Sequence, residues 1–262
     1  MNQLIGKVAV VTGGGQALGE AAARRLAREG AKVVVVDTDS AAGAATVKAI
    51  REAGGTAILV TADVAAPNEA VRVVAETLKA FGQLDVLVNA VQPATAWKSF
   101  AEKDDADFDA VCASVLGAQR MMKAAYPQLR ESGAARVVNV ASAYGATSYL
   151  DVTDHVARDG ALQGLSRAVA VEWGRDNITV NFLVPGLIDT PEFRRWHVAH
   201  PQRTDKLVKG VAMQRLGDPL EDFGGALMFL VSDEGCFVTG HPVYADGGQH
   251  LSAPAFEPGM RG

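Results

Sequence analysis

The stretch "RVVNVASAYGATSYLDVTDHVARDGALQGLSRAV", Arg136 to Val169, holds three side chains whose types and spacing could do chemistry: Ser142, His155 thirteen positions on, and Asp159 four beyond that. On a helix, residues four apart share a face and rise about 6 Å, so a carboxylate at 159 could reach an imidazole at 155 and raise its basicity. With Ser142 opposite, the set reads Ser, His, Asp. A nucleophilic triad needs the histidine between serine and acid and an oxyanion hole beside the serine, and "NVASAYG" has no GxSxG elbow. Two readings stay open from these residues. One is lyase- or hydrolase-type acid/base chemistry using Ser142, His155 and Asp159. The other is an idle helix, with His155 partly exposed and paired only with the carboxylate one turn away.

A second group lies near the start, in "TGGGQALG", Thr12 to Gly19. Glycines between a strand and a helix permit a tight turn and let backbone N–H groups approach a pyrophosphate at the helix N-terminus. Asp37 closes the next apolar run, 18 residues after Gly19. A carboxylate there can accept hydrogen bonds from an adenosine ribose and repel a 2′-phosphate, which favours NAD over NADP.

The elements that must position these groups alternate along the chain. "KVAVVTG", "KVVVVDTD", "TAILVTADV", "LDVLVNAV", "ARVVNVAS", "ITVNFLVPG" and "HPVYADGG" are seven β-branched runs, most of them separated by stretches long enough for a crossover helix. The helix after the glycine loop carries Ala22 and Leu26 on one face. The expected fold is a Rossmann-type, doubly wound α/β domain with a seven-stranded parallel sheet and helices on both faces. Ligands of such sheets bind beyond the carboxyl ends of the strands, where the glycines and acids of these runs fall.

From about Gly6 to Gly248 the chain resembles the short-chain dehydrogenase/reductase family. The resemblance is carried by Thr12, Gly13 and Gly19, by Asp63 and Val64, by Asn89, by "PGLIDT" with Pro185, Gly186 and Thr190, and by "GDPLEDFGGALMFLVSDEGCFVTGHPVYADGG". It implies that Thr12, Gly13, Gly19, Asp37, Asp63, Val64, Asn89 and Thr190 are the cofactor-binding positions, with Asp63 and Val64 bordering the adenine. It also implies a catalytic serine, tyrosine, lysine and asparagine, and here the chain departs from the family. Ser142 is retained, but His155 and Asp159 stand at the tyrosine and lysine positions and Ser114 at the asparagine position. Tyr144 and Tyr149 lack a lysine one helical turn later. Ala17 replaces a loop glycine, where its methyl would crowd the pyrophosphate, and Gln92 replaces a glycine near the nicotinamide ribose. In the family the tyrosine takes the alcohol proton because a lysine ammonium lowers its pKa. An acid at 159 reverses that charge.

At 262 residues, 48% hydrophobic and 21% charged, the chain suits one domain over residues 1–250, with 251–262 as a tail at a subunit interface. A net charge of −5 without a basic stripe argues against nucleic acid, and no apolar run reaches the roughly 20 residues of a membrane helix. The opening "MNQLIGKVAVVTGGG" has no signal-peptide pattern, so a cytoplasmic protein is expected. Cys112 and Cys236 lie far apart and form no metal or disulfide motif, and His197, His200, His241 and His250 have no ligand spacing. Asp104, Asp105, Asp107 and Asp109 suit a helix start, and Trp97, Trp173 and Trp196 suit packing or a lid.

The family assembles through its fourth and fifth helices and its last strand, and heteromeric members pair a silent subunit with an active one. The expectation is a catalytically silent structural subunit of a hetero-oligomeric, tetrameric NAD-dependent alcohol dehydrogenase, with an active paralogue as partner and with NAD binding weak or lost in this chain. Altered acid/base chemistry and a residual NAD-dependent oxidoreductase are the alternatives.

Overall fold

The computed structural model describes residues 3–93, 95–142 and 151–251. Every β-branched run forms a strand: β1 Val8–Thr12, β2 Lys32–Asp37, β3 Thr56–Thr61, β4 Val86–Asn89, β5 Arg136–Val140, β6 Thr179–Pro185 and β7 Pro242–Ala245. All pair in parallel, in the order β3-β2-β1-β4-β5-β6-β7. The intervening helices are α1 Ala17–Arg28, α2 Ser40–Glu52, α3 Glu69–Phe81, α4 Asp105–Ser132, α5 Thr153–Trp173, α6 Pro191–Ala199, α7 Pro201–Lys209 and α8 Gly224–Val231. The sheet is covered on both faces.

Alternation along each strand divides the core between the two faces. Ala9, Val11, Val33 and Val35 pack with Leu26 of α1, Ile50 of α2 and Leu227 of α8. Val10, Val34 and Leu87 pack with Val73 of α3 and with Met121 and Leu129 of α4. Asp39 caps α2 by accepting from Ala41 N and Ala42 N, and Thr190 caps α6 just before Pro191. No helix among the described residues is long and apolar enough to cross a membrane.

At the amino ends of the strands, Asp85 accepts from Val8 N at 2.8 Å, Gln83 Nε2 at 2.7 Å and Ser132 Oγ at 2.6 Å, with Lys7 Nζ at 3.4 Å. Burial opposes its ionisation, but these donors outweigh it and hold the carboxyl below the usual range. A carboxyl with a depressed folded-state pKa stabilises the fold above its unfolded value, near 4, and loses that contribution as pH falls through the folded value. Asp85→Asn is expected to cost about 1–3 kcal/mol at pH 7. The gap from the parent should shrink below about pH 4 in urea unfolding series; a gap independent of pH would refute the assignment.

Candidate functional site

The strand order turns back between β1 and β4, and the glycine loop sits at that point. Gly13 has φ +66°, and a Cβ on it would lie 2.9 Å from Ala90 O and from Val91 Cα. A Cβ on Gly19 would fall 1.9 Å from Gly13 O, so α1 can approach the loop only with glycine there. Ala17 opens α1 at φ +45°, in the left-handed region. Ala17→Gly is therefore expected to stabilise the chain by about 1 kcal/mol, read as a higher urea midpoint at unchanged slope.

A cavity of about 320 Å³ opens beside this loop, and Thr12, Gly13, Asp37, Asp63 and Val64 all line it. So do Ala17, Gln92 and Ser114. Asp37 Oδ2 accepts from Gly15 N at 2.8 Å and Oδ1 from Asp39 N at 3.0 Å. Asn89 is not among the lining residues. Its Nδ2 donates to Asn139 Oδ1 at 2.8 Å, and Asn139 donates to Ser166 Oγ at 2.9 Å, a buried ladder joining β4, β5 and α5. Thr190 Oγ1 accepts from Phe193 N at 3.1 Å, and Pro185 and Gly186 are buried at the end of β6. None of these three lines the cavity either.

The four positions that the resemblance assigns to catalysis are all buried: Ser114, Ser142, His155 and Asp159 are 3–7% exposed. They are organised by a residue that the sequence reading overlooked. Arg158, itself buried, donates from Nε to Ser114 Oγ at 3.0 Å and from Nη1 to Asp159 Oδ1 at 2.7 Å. Its Nη2 reaches Val91 O at 2.8 Å and Val140 O at 3.2 Å. Asp159 Oδ2 accepts from Ser142 N at 3.0 Å and from Ser142 Oγ at 2.6 Å. Burial pushes the Asp159 carboxyl upward, while Arg158 and Ser142 pull it back. The charge at this place is not reversed as expected from Asp159 alone, because Arg158 supplies the cation. The signal that could have found it is an arginine beside an aspartate in a helix whose neighbours are small and apolar, "VARDGAL".

His155 also departs from expectation. It is 7% exposed rather than partly exposed, and its Nε2 lies 3.0 Å from Thr95 Oγ1. The single hydroxyl proton of Thr95 goes to Asp154 Oδ2, at 2.5 Å. Asp154 pairs with Lys103 Nζ at 2.9 Å, and both side chains are at most 1% exposed. Burial disfavours the Asp154 anion, but Thr95 and Lys103 more than offset this and keep its carboxyl below the usual range. An ionised carboxylate only accepts, so Thr95 must receive the proton on His155 Nε2. Burial lowers the imidazole pKa, against the pull of Asp154, so the ring is neutral at pH 7 with its proton on Nε2. The nitrogen at the tip of the ring is thus a donor and unavailable as a base, and Nδ1 is buried.

Tyr144, Tyr149 and the tail after Leu251 lie outside the described residues. Trp97 packs on Trp196 of α6 at 5.5 Å between ring centroids, which clasps that helix onto the loop after β4. Trp173 stacks on Tyr126 at 4.8 Å. Asp104 precedes α4, and its carboxylate meets Lys98 Nζ at 2.6 Å. Both cysteines are exposed thiols, and no cluster of metal-ligating side chains occurs among the described residues. A larger cavity, about 600 Å³, is lined by Gly186, Met213 and Tyr244 near the end of β7. There Arg215 pairs with Asp222, and His250 Nδ1 lies 2.7 Å from Asp246 Oδ2.

This sheet, its glycine loop and the spacing of the buried polar set define the class. The chain belongs to the short-chain dehydrogenase/reductase family: the family model described as enoyl-(acyl carrier protein) reductase matches residues 13–250. Among its relatives are two subunits of (2S)-[(R)-hydroxy(phenyl)methyl]succinyl-CoA dehydrogenase from Thauera aromatica. BbsD is 33% identical over 94% of this chain and 98% of its own length. BbsC is 35% identical over 94% of both. The crystal structure of levodione reductase superposes with a TM-score of 0.88 at 29% identity, covering 95% of this chain and all of that one. The relatives are oxidoreductases of the dehydrogenase type.

Proposed function

We propose that this chain is a catalytically silent structural subunit of a hetero-oligomeric, NAD-dependent short-chain alcohol dehydrogenase, and that it stabilises an active paralogue carrying the tyrosine and lysine. The Arg158 network carries this reading. The Ser142 hydroxyl proton is given to Asp159, Asp159 is matched by Arg158, and His155 donates to Thr95. Among the described residues, an alcohol at these positions would meet no group ready to take its proton. NAD binding by this chain is weak or lost, because Asp159 and Gln92 stand where the family holds the nicotinamide ribose.

Two further observations support the assembly. Leu116 on α4, Val171 on α5 and Tyr244 on β7 are large apolar side chains left exposed, on the elements through which the family associates. Two of the relatives are named as subunits of one CoA-thioester dehydrogenase, and we take a cytoplasmic complex of that type as the model. Expressed alone, the chain should be folded and inactive. Co-expressed with a neighbouring paralogue that carries Tyr and Lys, it should co-purify as a stable hetero-oligomer. A homo-oligomer of this chain turning over alcohols at about 1 s⁻¹ or faster would overturn the proposal.

A further inference from the structure

We infer that the cavity beyond the end of β7 is a ligand site apart from the glycine-loop cleft, and that it takes a flat aromatic ring carrying a hydroxyl group. At about 600 Å³ it falls within the roughly 300–1,000 Å³ of small-molecule sites. Among the described residues it shares no wall with the cavity at the glycine loop. Leu187 and Ile188 come from the loop after β6, Met213 and Arg215 from the stretch before α8, and Tyr244 and His250 from β7 and the turn beyond it. These segments are already tied together. Leu187 N donates to Gln249 Oε1 at 2.9 Å, Met213 N donates to Gly247 O at 3.1 Å, and Ile188 bridges to Gly217. The inference does not depend on the silence of the buried set around Arg158.

The polar group of this cavity is an imidazole with a fixed orientation. Asp246 Oδ1 accepts from Gly248 N at 2.9 Å, and Oδ2 accepts from His250 N at 2.8 Å and from the ring Nδ1 at 2.7 Å. A carboxylate that accepts from three N–H groups places the ring hydrogen on Nδ1, which leaves the Nε2 lone pair as an acceptor. The Tyr244 ring stacks on the imidazole at 4.1 Å between centroids. The Asp246 side chain is 5% exposed and that of His250 28%, so the acid lies beneath and the ring opens outward. Among the described residues Nε2 has no hydrogen-bond partner. An oriented acceptor on the wall of a cavity calls for a donor, and a phenolic O–H is a strong neutral one.

The remaining walls favour an uncharged ring. Met213 and Tyr244 line the cavity while 59% and 40% exposed, which leaves a thioether and an aromatic ring in water that a flat ligand would cover. Arg215 spends Nη1 and Nη2 on Asp222 at 2.5 and 2.9 Å. These bonds, with a further one from Asp218 N, hold the Asp222 carboxyl down at about 2. Two carboxylates, Asp222 and Asp246, thus stand against one guanidinium. The walls offer an anion no net positive charge even when the imidazole is protonated.

Fluorescence anisotropy of 2-naphthol, 2-methoxynaphthalene and 2-naphthoate, each held at low concentration and titrated with the full chain, tests the inference. 2-Naphthol is expected to bind about five- to tenfold more tightly than either analogue, the worth of one hydrogen bond. His250→Phe keeps a ring on Tyr244 but has no Nε2, so naphthol and its methyl ether should bind it equally. Tyr244→Leu, at a site exposed enough to spare the fold and checked for an unchanged thermal midpoint, should weaken 2-naphthol by about tenfold. Naphthoate binding as tightly as naphthol, a preference for naphthol over its ether that survives His250→Phe, or an affinity untouched by Tyr244→Leu overturns the inference. So does an anisotropy that stays flat up to about 1 mM protein.

Discussion

Arg158→Met is expected to lower folding stability by about 3–5 kcal/mol, one of the two largest single effects in this protein. The substitution keeps most of the volume and removes the one cation hydrogen-bonded to Asp159 among the described residues, where Asp159 is 3% exposed. It also takes away the donor to Ser114 Oγ and to the carbonyls of Val91 and Val140. The main cost is the buried carboxylate left without a counterion, so relieving that charge should restore much of the loss. Arg158→Met combined with Asp159→Asn keeps an acceptor for Ser142 and is expected to recover about 2 kcal/mol of the single-variant deficit. Urea unfolding of the four forms measures this. Simply additive losses would mean that the pair is not coupled, and the proposed silencing of the site by this network would lose its support.

The second large effect is expected at the other buried pair. Asp154→Leu leaves the Lys103 ammonium without its carboxylate and should cost about 3 kcal/mol. The pair ties the start of α5 to the loop after β4, helped by Lys103 Nζ donating to Ala96 O at 2.5 Å and by Thr95. Trp97 sits on the same loop and carries α6 through Trp196. The variant should therefore show faster proteolytic nicking around residues 95–104 and 191–209, together with a red shift of tryptophan emission, before global unfolding. Loss of stability without local loosening would place the role of the pair in the core of α5 and separate it from the loop after β4 and α6.

Local pattern was sufficient for the scaffold. Seven β-branched runs with crossover-length gaps can bury their faces only as a parallel sheet between helices, and periodicity reports that directly. The glycine loop was equally legible, because Gly13 and Gly19 are demanded by close backbone approach within one strand–turn–helix unit. That His155 and Asp159 stand at the family's tyrosine and lysine positions came from the resemblance to the family.

What filled their places could not. Asp159 and His155 satisfy the i,i+4 rule, yet that rule only permits a contact, and the hydrogen bonds of Asp159 go to Ser142, just after β5, and to its neighbour Arg158. His155 finds Thr95 across 60 residues of chain, and Arg158 finds Val91 across 67. Asn89 carries the family's motif but spends its amide on Asn139 of the neighbouring strand. A polar stripe on a helix looks the same in sequence whether it faces water or a buried set of partners. Hydrophobic periodicity measures which residues are apolar, and only the assembled elements decide which polar residues are enclosed and by what.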